Sequence, residues 1–212
     1  MSKIPNIEHK KHKSPIVDSP TSEFEIPFYK DQEYFSNLDN FVGFVKAVEK
    51  SVRTSNYYKR FIAFLKEEKG LNYCQVLGNV EESKEVKIEM HHGPVFTLFD
   101  YAAIITEYLL ARNEKVNTFI VADILMKEHF DNNIHVVMLS QTVHEEVHAG
   151  NIFLNLKQGY GDFNRFVRKY RDGINLNQIA TINKYIERSL QYDSDDKGVL
   201  KLMKEVRKWN NA

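Results

Sequence analysis

Glu85-Val86-Lys87-Ile88-Glu89-Met90-His91-His92-Gly93-Pro94 alternates apolar and polar side chains until it meets a Gly-Pro pair. Val86, Ile88 and Met90 fall on one side, Lys87, Glu89 and His91 on the other, which is the period of a half-buried strand. Proline cannot continue a central ladder, so the strand is expected to break at Gly93-Pro94, freeing the rings of His91 and His92 to leave the pleat on the same side. A second short strand is expected at Ile134 to Leu139, after the turn Asp131-Asn132-Asn133. Ser140 to about Gly150 then reads as a short helix with Gly150 as its stop.

The rest of the chain reads as helix. Phe41, Phe44, Val45 and Val48 recur at three- and four-residue spacing from about Leu38 onward. A second helix is expected from Tyr57 to Lys69, closed by Gly70, and two more at about 97–112 and 118–129. Tyr73 to Leu77 reads as a short strand and Gly78 to Lys84 as a polar turn. Helical stretches at about 162–171, 176–191 and 197–209 complete the chain. The fold class is therefore mainly α with a small β-hairpin, an α+β arrangement. Residues 1–30 hold Pro5, Pro15, Pro20 and Pro27 and the run His9-Lys10-Lys11-His12-Lys13, and are expected to form a flexible basic arm. Residues 31–84 form an N-terminal helical region, 85–150 a core with a helical insertion at 97–130, and 151–212 a basic helical region.

Composition narrows the function classes. The 212 residues carry 29 Lys and Arg against 29 Asp and Glu, which argues against a wholesale polyanion binder. That charge is partitioned: residues 31–150 hold 12 basic and 18 acidic side chains, residues 151–212 hold 12 and 7. Cys74 is the sole cysteine, so neither a disulfide within the chain nor a multi-cysteine zinc site can form. The N-terminus has no secretory core, and no stretch approaches the ~20 apolar residues of a spanning helix, so a cytoplasmic protein without membrane partners is expected.

Histidine carries the chemistry. Of eight histidines, His144 and His148 in His144-Glu145-Glu146-Val147-His148 stand one turn apart on a helix, a bite that suits one metal ion between two imidazoles. The same five residues match the His-Glu-x-x-His pattern of metallopeptidases, where Glu145 would be the base and a downstream residue such as Glu187 the third ligand. No histidine follows His148, and Glu146 places a charge where that pattern is usually uncharged.

The run from His135 to His148, with Glu89-Met90-His91-His92 and Pro94 upstream, resembles the HNH endonuclease family, most closely its nuclease-colicin branch. The resemblance covers residues 85–150 and implies a ββα-metal nuclease motif, here with a helical insertion and flanking helices. His135 stands where the family usually has Asn, giving a His-His-His variant, and Asn133 could take that place in a shifted register. Ser140 and Val143 occupy positions where many members carry zinc-binding cysteines.

By that resemblance His92 would be the general base, and His91, His144 and His148 would hold one divalent metal ion. His135 would orient a ring or the connecting loop, and Glu89 would fix the tautomer of His91. The ion would be zinc, nickel, magnesium or manganese, with three imidazoles favouring zinc or nickel. DNA would be the substrate, contacted by Lys157, Arg165, Arg168, Lys169 and Arg171, which alternate with Tyr160, Phe163 and Phe166. Three readings stay open at this point: endonuclease, zincin-like metallopeptidase, and non-catalytic metal- or DNA-binding helical protein. A homodimer or a protein partner also stays open.

Overall fold

Capping residues set most of the helix starts in the computed structural model, which describes residues 28–209. The expected arm lies almost wholly outside the described residues, as does its basic run. Asn37 accepts from the backbone N–H of Asp39 and Asn40 and opens α2 (Leu38–Thr54), which follows the single-turn α1 (Gln32–Phe35). Ser55 ends α2 and opens α3 (Asn56–Glu67), and Gly70 follows at φ +66°.

The strand runs from Ile88 to His92 (β1) rather than from Glu85. Ser83 Oγ accepts from the N–H of both Glu85 and Val86 at 3.2 and 3.1 Å, which commits those residues to a turn. A reciprocal Thr97–Asp100 capping box opens α4 (Leu98–Ala111), and Asn117 opens α5 (Thr118–Phe130). β2 (Val136–Ser140) returns antiparallel to β1, pairing Ile88 with Ser140, Met90 with Met138 and His92 with Val136. The expected class, α+β with a small hairpin, is the observed one. α4 and α5 form the insertion between the strands and pack with α2 as one layer of the core.

Ser140 passes without a loop into α6 (Gln141–His148), which packs on both strands and stops at Gly150 with φ +78°. The chain ends in α7 (Phe163–Lys169), α8 (Leu176–Tyr192) and α9 (Lys197–Trp209).

No strand forms at Tyr73 to Leu77. Tyr73 makes a single bridge to Glu81, while Gln75 covers the outer edge of β2 through its own N–H to the Met138 carbonyl and its side-chain oxygen to the Met138 N–H. Tyr160 covers the next position by two backbone bonds with Val136. This leaves β2 bonded on both edges and explains why every one of its five residues is buried.

Candidate metal centre

The ladder between β1 and β2 extends one step beyond His92, because the Gly93 N–H donates to the His135 carbonyl at 3.2 Å. Strand alternation therefore governs the whole pair His91-His92, and the two rings leave on opposite faces of the hairpin. The expectation that they share one side is corrected by this single extra bond.

His91 and Glu89 face α6. His144 and His148, one helical turn apart, meet them there. The ring centroids of His91 lie 5.1 Å from those of both His144 and His148, and the latter two lie 4.6 Å apart. One nitrogen from each of the three imidazoles lies within 4.8 Å of the others. His91 and His144 are half-buried and His148 is exposed.

Glu89 accepts from His144 Nδ1–H at 2.8 Å, so His144 turns its Nε2 lone pair toward the other two rings. Its contact is thus to His144 rather than to His91. His148 Nε2 lies 3.0 Å from His144 Nε2 and donates to it in this tautomer. The Lys87 ammonium, 2.5 Å from Glu89, and His144 together hold the Glu89 carboxyl below its ordinary range. Burial, reinforced by the two neighbouring rings, brings His91 down to about 4, so its ring is neutral at pH 7. A tetrahedral zinc with ~2.0–2.1 Å bonds separates its ligand nitrogens by ~3.3 Å; here one nitrogen of each ring lies within 4.8 Å of the others.

His92 lies elsewhere. It is 6% exposed, stacks on Tyr58 and bonds His129 through Nε2 to Nε2 at 3.0 Å. His129 Nδ1–H donates to the Leu125 carbonyl at 2.7 Å, so its Nε2 accepts from His92. Burial holds both rings neutral, His129 with a pKa of about 4. A ring bonded into the core cannot activate water beside a metal on the opposite face. His135 is also away from the triad. Its ring packs against Gly159, where an added Cβ would overlap the imidazole, and its backbone N–H donates to Tyr101 Oη at 3.1 Å. Burial lowers it to about 4, and its Nδ1 has no partner.

The cations expected to meet DNA are mostly engaged internally. Lys157 pairs with Asp193 at 2.9 Å, Lys169 with Glu128, and Arg171 covers the Trp209 ring at 5.7 Å. Arg168 donates to the Asn164 carbonyl of its own helix, and Arg165 is exposed. Two groups carried no role in the sequence reading: His129, and Glu128, a buried carboxylate held by Lys169, Tyr170 and Asn133. Their signal was a His and a Glu on the mostly apolar helix 118–129, at positions that turned out to face the core.

The family model of the Bacteriophage G278-like virion proteins matches residues 2–211. The chain belongs to this family. No curated protein and no solved structure matches it. Membership in a virion protein family overturns the HNH endonuclease resemblance and, with it, the reading of the chain as a DNA-hydrolysing enzyme or a metallopeptidase. The position of His92 agrees with that correction. The third member of the triad is the upstream His91 and not a residue after His148, which departs from the metallopeptidase pattern alone. For this virion family member the hairpin and α6 remain a histidine-rich junction without an assigned reaction. Among the described residues no helix is long and apolar enough to cross a membrane.

Proposed function

We propose that the chain serves as a non-catalytic component of the phage particle in which one divalent transition metal, held by His91, His144 and His148, fastens α6 to the β-hairpin. The observation that carries this reading is the convergence of three imidazole nitrogens within 4.8 Å, with Glu89 orienting one of them. The family description supplies the particle as the setting.

Zinc fits the donor set best: neutral imidazoles suit zinc, nickel or copper, whereas magnesium and manganese prefer oxygen. The ion would join residues far apart in sequence, His91 on β1 and His148 on the last turn of α6. A ligand bound only by the folded state stabilises it by about 4 kcal/mol at a thousandfold excess over its dissociation constant. α6 has a single buried side chain, Val143, and its Ser140 cap makes no side-chain bond. Such a short, weakly anchored helix gains most from a clamp.

The test is metal analysis and calorimetry of the purified chain, with proteomics of purified particles. One zinc per chain, a higher Tm with zinc than with chelator, and loss of both in His144→Ala/His148→Ala support the reading. Absence of zinc binding at micromolar concentration overturns the metal clamp, and absence of the chain from particles overturns the setting.

A further inference from the structure

α9 carries the sequence Lys-Gly-Val-Leu-Lys-Leu-Met-Lys-Glu-Val-Arg-Lys-Trp. Lys197, Lys201, Lys204 and Lys208 are spaced i, i+4, i+7 and i+11. At 3.6 residues per turn they stay within an arc of about 60°, along a line of ~16 Å. Val199, Leu202 and Val206 occupy the opposite side and are buried. All four lysines are exposed.

Elsewhere the basic side chains of the described residues are often neutralised. Arg53, Lys66, Lys87, Arg112, Lys157 and Lys169 all pair with carboxylates. Within the described residues, no such pair involves α9. α7 packs beside α9. Asn164 donates to the Gly198 carbonyl at 3.1 Å, and Arg171 reaches Trp209 at the far end, so α7 and α9 run side by side in the same direction. Arg165 and Arg168 on α7 are exposed and pair with no carboxylate among the described residues.

The chemistry of the stripe selects among partners. Protein interfaces are depleted in lysine and organised around aromatic or aliphatic anchors. None of the exposed large apolar side chains lies on α9. A membrane-surface helix needs a free apolar face, and here that face is already in the core. A row of unpaired ammonium groups without apolar anchors fits a rod of high linear charge, and duplex DNA presents one phosphate per ~1.7 Å of axis.

We propose that α9, flanked by Arg165 and Arg168, docks onto the phosphate backbone of duplex DNA without reading its sequence. This surface differs from the set expected from sequence, sharing with it only the two α7 arginines, and it does not depend on the metal clamp.

The experiment is fluorescence anisotropy of the full chain with a labelled 20-base-pair duplex of arbitrary sequence, between 50 and 200 mM salt. Four to six phosphate contacts give a slope of about −4 to −5 in log affinity against log salt. Lys201→Glu/Lys204→Glu should lower affinity about tenfold or more and flatten the slope by about 2, with unchanged circular dichroism. Lys46→Glu/Lys50→Glu on the exposed side of α2 should leave binding intact. Absence of binding at 50 mM salt, equal loss in the α2 variant, or equal competition by polyglutamate or by anionic vesicles would each overturn the proposal.

Discussion

Acid should unfold this protein through its buried imidazoles, and residue 129 isolates the effect. His129 and His135 are both almost fully buried, at 1% and 2% exposure, and burial lowers each to about 4. An unfolded histidine titrates near 6.5. Between those values the unfolded chain binds protons that the native chain refuses, so stability rises with pH there. The contribution is complete above pH 6.5, shrinks as pH falls, and is gone below about pH 4. Each ring accounts for ~3 kcal/mol over that window, with a limiting slope of ~1.4 kcal/mol per pH unit. Two rings remove ~6–7 kcal/mol, comparable with the whole stability of an ordinary domain. The assay is urea unfolding followed by circular dichroism at pH 7.5, 6.5, 5.5 and 4.5, on wild type and His129→Leu. The variant should be less stable at pH 7.5 by ~1–3 kcal/mol, because His92 Nε2–H loses its acceptor. Its curve should nevertheless fall less steeply below pH 6.5, by one histidine's slope. Parallel curves for the two proteins would refute the reasoning, since the variant removes the titration of residue 129 and relieves the charge it sets against His92.

Other perturbations have equally definite outcomes. Glu89→Gln should weaken zinc binding by about 10–100-fold while leaving one ion per chain, measured by competition with a chromophoric chelator, because only the carboxylate behind His144 is altered. Glu128→Ala should cost ~2–5 kcal/mol by urea unfolding, at ~1–3 kcal/mol for each of two buried donors left without an acceptor. Burial pushes that carboxyl up, but hydrogen bonds from Lys169, Asn133 and Tyr170 outweigh it; without it the buried Asn133 and Tyr170 would be stranded, while the exposed Lys169 turns to water. Gly161→Ala should lower Tm far more than Gly78→Ala. Both have positive φ, +116° and +73°, yet only at Gly161 would the new Cβ strike backbone, the Ile134 carbonyl, whereas Gly78 faces open space.

Helix positions were legible because their signals are local. Asn117, Thr97 with Asp100, and Gly70 mark ends within a few residues of the periodic runs they bound. The strand start was misplaced by the Ser83 turn, a side-chain-to-backbone competition that alternation does not report. Charge pairing was illegible for a different reason. Lys157 finds Asp193 and Lys169 finds Glu128 across separations of 36 and 41 residues, so which cations stay free depends on how α5, α7 and α8 pack. Spacing alone ranked Lys157, Lys169 and Arg171 with Arg165 and Arg168, although only the last two meet no internal carboxylate or ring.

The histidines separate what a motif encodes from what it does not. An i, i+4 pair on a helix after a strand places two rings on the hairpin, and strand period places His91 beneath them; those statements concern position. A reaction requires in addition a free base on the same face, and that depends on one backbone bond, from Gly93 to His135, and on the ring that covers the far side of β1. In this chain the bond keeps alternation intact through His92, and Tyr58 and His129 close over it. The two faces of the sheet thus carry a half-buried cluster of three imidazoles and a core pair that joins α5 to β1. The spacing shared with endonucleases records where the imidazoles stand and not on which face His92 leaves, and the family to which the chain belongs is a virion protein family.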